Sequence, residues 1–127
     1  MKDLDQEIKD DALALLRKAD AFFARPDSWS LPGMDPDGSS KSLWWALSDL
    51  KDRKKGEAHF LVCLAALSYE DGKTLGRTTD HQNWLLAWER EEGRTVADVR
   101  ARIRRAARLI AEGRFVQGND FAWSYEE

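Results

Sequence analysis

The chain has 127 residues, of which 43% are hydrophobic and 34% are charged, and a net charge of −3. This composition excludes a disordered chain and predicts one globular domain with a single core. No apolar run of signal-peptide type opens the sequence, and the longest apolar run, residues 60–67, is too short to cross a bilayer. The single cysteine, Cys63, excludes an internal disulfide. We therefore expect a cytoplasmic protein with no place in a membrane.

The first predicted helix covers residues 3–23. Its apolar residues fall in one stripe at 3.6-residue spacing, and charged residues fill the other side; the stripe consists of Leu4, Ile8, Ala12, Leu15, Leu16, Ala19, Phe22 and Phe23. Leu13 lies off this stripe, so we expect it to be exposed unless a partner covers it. Pro26 ends the helix.

A long loop is predicted at residues 24–41, which hold all three prolines of the chain. A loop of this length is unusual inside a compact domain, and its apolar residues, Trp29, Leu31 and Met34, indicate that it packs over the core. A second helix, at about residues 42–51, buries Leu43, Ala46, Leu47 and Leu50. Trp45 points well away from that buried stripe.

Three further helices are predicted in the second half of the chain. Residues 57–69 are apolar nearly all round, which is typical of a central, buried helix. After a loop at 70–80, a fourth helix at 81–92 has Trp84, Leu85 and Trp88 on its inner side, and Gly93 ends it. Thr95 and Asp98 resemble a capping box that starts the fifth helix.

Gly113 ends the fifth helix, and residues 114–127 are predicted to form an aromatic C-terminal tail. The one weak strand candidate lies at residues 114–117. The predicted fold is therefore all-α, a single domain over residues 1–127 with a bundle of about five helices and a long Pro-rich loop between the first two.

Two segments, "WEREEGRTVADV" and "AARLIAEGRFVQG", resemble an uncharacterised family of small helical proteins from actinobacteria and their phages. That family carries a W-N-D-x-x-G-R-T-x-x-E-V segment and an A-x-L-I…W-x-Q-G segment. The residues that fit the first pattern are Trp88, Gly93, Arg94, Thr95, Asp98 and Val99. Glu89 and Arg90 replace the Asn-Asp pair, Phe115 replaces the usual Trp, and the second segment comes last here instead of first. The resemblance, over about a quarter of the chain, implies a helical fold and a mobile-element origin but no activity.

Motifs for ligand binding are incomplete. Gly72-Lys73-Thr74 lacks the glycine that a phosphate-binding loop has five residues earlier, since position 67 is leucine. The segment "DPDGS" at 35–39 begins like a calcium loop, but Ala46 stands where that loop needs a bidentate glutamate. We expect no cofactor.

The alternative to a binding protein is a small-ligand or metal-dependent enzyme that uses His59, Cys63 and His81. His59 and Cys63 are spaced i, i+4, so they share one face of a helix, and His81 would have to line the same cleft. Zinc sites usually have their ligands in closely spaced pairs, which this chain lacks. We therefore expect no metal and interpret Cys63 as a small core residue.

Arginine dominates the fifth helix. From Arg94 to Arg114 there are seven arginines against Asp98 and Glu112, a net charge of +5, so the rest of the chain carries −8. On a helical wheel Arg104, Arg105 and Arg108 point outward, whereas Arg100 and Arg102 flank the buried stripe. Three roles are open for these arginines. They pair within the fold with the acidic side chains at 89–92 and on the first helix, they bind an acidic partner protein, or they bind nucleic acid. The acidic pI of about 5.5 argues against nucleic acid.

Six tryptophans are more than a core of this size needs. Tryptophan and arginine are enriched at binding hot spots. One predicted docking patch consists of Trp45 with Leu13, and another consists of the tail residues Phe121, Trp123 and Tyr125. In the alternative, the long loop and the tail fold over these side chains and bury them. The sequence favours a non-catalytic protein that binds another protein, such as a phage inhibitor or adaptor directed at a host defence complex. The predicted partner-binding residues are Leu13, Trp45, Arg104, Arg105, Arg108, Phe121, Trp123 and Tyr125. The oligomeric state stays open.

Overall fold

The computed structural model describes residues 2–3, 6–25, 27–31, 40–69, 78–112, 115–117 and 123–125. Within these residues there are five α-helices: α1 (Gln6–Phe23), α2 (Leu43–Leu50), α3 (Ala58–Ser68), α4 (Thr78–Glu89) and α5 (Val96–Ala111). A single 3-10 turn, Arg53–Lys55, lies between α2 and α3. The body of the protein is therefore helical, as the periodicity of the sequence predicts.

A small antiparallel sheet joins the two ends of the described chain. It consists of β1 (Lys2–Asp3), β2 (Phe115–Gln117) and β3 (Trp123–Tyr125), with β2 in the middle. The sequence indicated only β2, as a weak candidate. Asp3 of β1 was predicted to begin the first helix and β3 to lie in an irregular tail, because strands of two or three residues are too short to show a period of two.

The core is built around α3, which packs against α1, α4 and α5. Val62, Cys63, Ala66 and Leu67 are fully buried, in agreement with the prediction of a central helix. Most of the two predicted inner stripes is buried, namely Ala12, Leu15, Leu16, Ala19 and Phe23 on α1, and Val99, Ile103, Ala106 and Ile110 on α5. Ile8 and Phe22 of the α1 stripe and Val96 of the predicted α5 stripe are only partly buried, and Leu4 lies outside the described residues. Within the described part of the chain, no helix combines the length and apolar character that a membrane span requires.

Short-range signals fix several helix ends. The capping box predicted at the start of α5 is present: Thr95 N donates to the Asp98 carboxylate at 2.9 Å, and Asp98 N donates to Thr95 Oγ1 at 3.2 Å. The predicted fourth helix, 81–92, starts and ends three residues earlier, as α4 (Thr78–Glu89), so Gly93 does not follow its last residue directly. Gly93 has a φ of 84°, in the left-handed region that glycine tolerates best. Gly113, predicted to end α5, lies outside the described residues.

The described ends of the predicted Pro-rich loop are joined by backbone hydrogen bonds. Ser30 N donates to Lys41 O at 3.1 Å, and Lys41 N donates to Ser28 O at 2.8 Å. Trp29 is partly buried and packs against the core cluster, in agreement with the prediction for that side chain. The three prolines and Met34 lie outside the described residues.

Candidate docking site

Two arginines of α5 cap the carboxyl end of α3. Arg102 Nε donates to Leu67 O at 2.7 Å and its Nη2 to Tyr69 O at 3.0 Å, while Arg105 Nη1 donates to Tyr69 O at 2.8 Å. The last carbonyls of a helix have no donor within the helix, and its C-terminus attracts positive charge. Arg105 therefore turns back towards α3 instead of pointing outward as the helical wheel predicted.

Arginine also stacks on the tryptophans of α4. The rings of Trp84 and Trp88 are stacked with centroids 6.4 Å apart. The Arg102 guanidinium lies 4.7 Å from the Trp84 centroid, and the Arg94 guanidinium lies 4.0 Å from that of Trp88. Such cation–π contacts stabilise a fold when the cation is partly desolvated. Part of the tryptophan surplus therefore serves to pack α4 against α5.

Asp20 on α1 binds two arginines of α5. Arg100 Nε donates to Asp20 Oδ1 at 2.9 Å, and Arg104 Nε lies 3.6 Å from Asp20 Oδ2. The prediction that acidic residues of the first helix pair with the arginines of the fifth is confirmed at this residue. The Arg104 side chain nevertheless remains 63% exposed.

A groove between α1 and α5 brings two predicted partner-binding residues together. Its cavity volume is about 170 Å³, and we call it the α1/α5 groove; it is lined by Leu13, Leu16, Arg17, Asp20, Ile103, Arg104 and Ala107. The floor is apolar and the rim is charged. Leu13, which the sequence analysis placed on an exposed surface, is partly buried in this floor.

The order of contacts along the α1/α5 groove makes the two helices antiparallel. Asp20, near the end of α1, meets Arg100 and Arg104, whereas Leu13, one and a half to two turns earlier, shares the groove with Ala107. Arg104 and Arg108 are one turn apart and both are exposed, as predicted. Of these two, Arg104 lines the groove, and Arg17 lines it from α1, so both walls carry arginine.

Arg17 on α1 and Arg108 on α5 are exposed. Across the residues that the structure describes, neither side chain forms an ion pair with a carboxylate. Arg17 was not among the residues selected from the sequence, although its i, i+4 spacing from Leu13 places the two on one helix face. Arg17 lines the groove, so its rim keeps positive charge that the described fold does not neutralise, and Arg108 adds an exposed charge one turn beyond Arg104.

Trp45 is 48% exposed and is the one large hydrophobic residue in that class among the described residues. Its ring meets the ring of Trp44 edge-on, with centroids 4.9 Å apart. It lies on α2 and does not line the α1/α5 groove, so it forms a separate apolar contact surface. Phe121 lies outside the described residues; Trp123 and Tyr125 belong to β3, but their side chains also lie outside.

The three residues of the enzyme alternative do not meet. His81 Nδ1 lies 2.6 Å from Ser68 Oγ, at the last residue of α3, whereas His59 is at the other end of that helix. Nine residues of helix correspond to about 13 Å. Within the described part of the chain, no three His, Cys, Asp or Glu residues form a group suited to a metal ion.

The surroundings of Cys63 and His59 also indicate structural roles. The Cys63 thiol is fully buried and donates to Ala12 O at 3.4 Å, and burial raises its pKa. A thiol that stays protonated is a poor nucleophile and a poor metal ligand. His59 is buried beside a cavity of about 50 Å³, lined in part by Asp11 and Lys55, and burial lowers its pKa. Neither side chain is placed for catalysis together with His81.

A buried carboxylate, missed by the sequence analysis, organises the start of α2. Glu89 is 1% exposed, and its Oε1 accepts hydrogen bonds from Trp29 Nε1 at 2.9 Å and from Leu43 N. Burial raises the pKa of Glu89, against the effect of these donors. In the sequence Glu89 belongs to the acidic residues 89–92 that were expected to pair with the arginines of the fifth helix. The available signal for its buried role was the indole of Trp29, which needs an acceptor when buried.

No protein-family model matches the chain, and neither the curated proteins nor the solved structures include a match. The resemblance described for the segments around Trp88 and Phe115 therefore stays a prediction.

Proposed function

We propose that the protein is a non-catalytic, single-domain helical protein of the cytoplasm that acts by binding another protein. The observation that supports this function is the α1/α5 groove, in which an apolar floor lies beside Arg17, which forms no ion pair in the described fold, and Arg104, whose side chain stays largely exposed. Leu13 and Arg104, two residues that the sequence favours for partner binding, both line it.

The use of the other arginines strengthens this argument. Arg94, Arg100, Arg102 and Arg105 each contact a carboxylate, a carbonyl or an aromatic ring within the fold. These side chains are structural, which leaves Arg17 and Arg108 as arginines of α1 and α5 without an ion pair in the described fold. Arg104 has only a 3.6 Å contact with Asp20, and its side chain is 63% exposed, so it too is available to a partner. Trp45 supplies a second contact surface, and tryptophan and arginine are the residues enriched at binding hot spots.

A small inhibitor or adaptor is the class of binding protein that suits these features. The resemblance to actinobacterial and phage proteins supports a phage protein directed at a host defence complex. Such a protein needs a recognition surface and no reactive groups, and the burial of Cys63 together with the separation of His59 from His81 agrees with that requirement.

Affinity capture from an actinobacterial lysate, quantified by mass spectrometry, tests this function. Wild type is compared with Leu13→Glu, which places charge in the groove, with Trp45→Ala, and with the control Lys54→Ala on the exposed 3-10 turn. We expect one protein or complex to be enriched by wild type and control, and its recovery to fall at least about tenfold in one of the other variants. Equal recovery by all four proteins would contradict the proposal, provided that circular dichroism shows each variant folded.

A further inference from the structure

We infer that the α1/α5 groove binds an acidic segment of a partner protein, with one apolar side chain of that segment in the cavity and carboxylates on either side of it paired with Arg17, Arg104 and Arg108. This inference rests on the proposed function and assigns a chemistry to the partner.

The size of the groove sets the size of the anchoring side chain. Its cavity volume is about 170 Å³. An apolar cavity of about 150 Å³ in another protein accepts benzene, so a single side chain of the size of leucine, isoleucine or phenylalanine fits here. The floor offers such a side chain only apolar neighbours, namely Leu13, Leu16, Ile103 and Ala107.

The charges of the rim select the residues beside that anchor. Arg17 lines the α1 wall and Arg104 lines the α5 wall. Arg108 is exposed one turn beyond Arg104, about 6 Å further along the helix axis, next to the lining of the groove and not in it. A guanidinium group binds a carboxylate through two parallel hydrogen bonds, which favours Asp or Glu at positions that flank the anchor.

Asp20 does not block this arrangement. It holds Arg100 at 2.9 Å, whereas its contact with Arg104 is longer, at 3.6 Å, and the Arg104 side chain is largely exposed. Arg104 is therefore able to turn to a partner carboxylate while Asp20 keeps its bond to Arg100. A partner carboxylate therefore replaces only the longer of the two Asp20 contacts, and the Asp20–Arg100 ion pair stays intact.

A nucleic acid fits the groove less well than an acidic protein segment does. A phosphate backbone offers no apolar group for the cavity, and the groove lining contains no aromatic residue on which a base would stack. Three arginines match the few carboxylates of a short peptide segment, whereas duplex DNA carries one negative charge per about 1.7 Å of its axis.

The test is a selection of random twelve-residue peptides displayed on phage against the immobilised full-length protein, followed by affinity measurement on the enriched peptides by fluorescence polarisation. We expect the enriched sequences to place an apolar residue between Asp or Glu residues. Their binding should weaken at least about tenfold when NaCl rises from about 50 to about 500 mM, because the Debye length falls from over 10 Å to below 5 Å.

Matched variants connect binding to the groove. Arg17→Glu/Arg108→Glu reverses charge on the α1 wall and beside Arg104 on α5 without removing an ion pair of the described fold, and we expect it to weaken binding at least about tenfold. Arg53→Glu/Lys54→Glu, on the exposed 3-10 turn, makes the same change in net charge and is its control. Ala107→Phe fills the cavity from within and should abolish binding. Ala101→Phe, the same change at an exposed position of α5, should not. Thermal unfolding of each variant shows that it is folded.

Several outcomes would overturn the inference while the proposed function stands: enriched peptides without acidic residues, equal binding by Ala107→Phe and Ala101→Phe, or binding that only Trp45→Ala removes. A dimer in solution that Ala107→Phe dissociates would identify a second copy of this chain as the occupant and would also overturn it. If no peptide is enriched but affinity capture succeeds, the inference alone fails; if both experiments fail, the proposed function fails with it.

Discussion

The carboxylate of Glu89, at the end of α4, accepts a hydrogen bond from the backbone N–H of Leu43, the first residue of α2, which lies 46 positions earlier in the chain. The same oxygen accepts from the indole of Trp29. A carboxylate at a helix N-terminus satisfies otherwise unpaired donors and interacts favourably with the helix dipole. Glu89 thus ties three separate segments together at one buried point.

Truncation of Glu89 should therefore destabilise the fold. Glu89→Ala leaves the Trp29 indole and the Leu43 amide buried without an acceptor, and we expect the free energy of unfolding to fall by about 2–4 kcal/mol. Urea denaturation followed by circular dichroism measures this. Glu92→Ala, an exposed glutamate three residues on, should change stability by no more than about 0.5 kcal/mol. Equal effects of the two substitutions would refute the role given to Glu89.

The ionisation of Glu89 should make stability depend on pH. Because burial raises its pKa above the ordinary value of 4.5, the folded state holds this proton more tightly than the unfolded state does. The stabilisation that results is complete below the ordinary pKa and is lost as pH rises through the raised one. Glu89→Gln keeps an acceptor oxygen but does not titrate. The stability of wild type relative to Glu89→Gln should therefore decrease from about pH 4 upward and then level off; a difference that is constant with pH would contradict this.

Removal of Arg102 should destabilise the end of α3. Arg102→Ala removes two hydrogen bonds to the α3 carbonyls and a cation–π contact with Trp84, and we expect a loss of about 2–3 kcal/mol in the free energy of unfolding. Arg108→Ala, on the same helix but exposed, should cost less than about 0.5 kcal/mol. Urea denaturation measures the free energy of unfolding of both variants, and equal stability of the two would contradict this prediction.

Cys63 should be unreactive in the folded protein. Its thiol is fully buried, and burial raises its pKa, so a thiol-specific chromogenic reagent should label it only as fast as the core opens. In concentrated urea the same thiol should react at once, which provides the control. Rapid labelling of the native protein would show that α3 is more accessible than this structure allows.

The arginines of α5 should not confer binding to nucleic acid. At about 150 mM salt, non-specific DNA-binding proteins typically show dissociation constants of roughly 1–100 µM, and we expect binding of random duplex and single-stranded DNA to be weaker than this range. Electrophoretic mobility shifts measure it. If the wild-type protein binds DNA within this range and Arg104→Glu/Arg108→Glu abolishes the binding, this surface recognises phosphates.

Local patterns were sufficient to predict the helices and their buried faces. The stripes of α1 and α5 and the Thr95–Asp98 capping box each depend on residues within a few positions of one another, and the structure contains the capping box and buries most of both stripes. The prediction that Arg105 points outward was wrong, because its hydrogen-bond acceptor, Tyr69 O, lies 36 residues away in the sequence. Glu89 was missed for the same reason: its role depends on Trp29 and Leu43, which only the tertiary fold brings near.

The candidate site was predicted in part. Leu13 was predicted to bind a partner because it is an apolar residue off its helix stripe, and Arg104 because it lies on a basic helix face. Nothing in the sequence indicated that the two residues line the same groove. Their meeting requires the antiparallel pairing of α1 with α5, which no periodicity encodes. Trp45, in contrast, was correctly predicted to be exposed because the wheel of a single helix determines it.

The pairing of α1 with α5 has a consequence for biosynthesis. A ribosome completes α1 long before the residues of α5 exist, yet α5 covers part of the apolar face of α1, with Ile103 and Ala107 beside Leu13 and Leu16. During translation that face stays uncovered, and domains whose early segments need late partners fold only after most of the chain has been released. A nascent chain stalled before α5 should therefore be a good client for chaperones, whereas the finished chain, with α5 in place, should have little need of them.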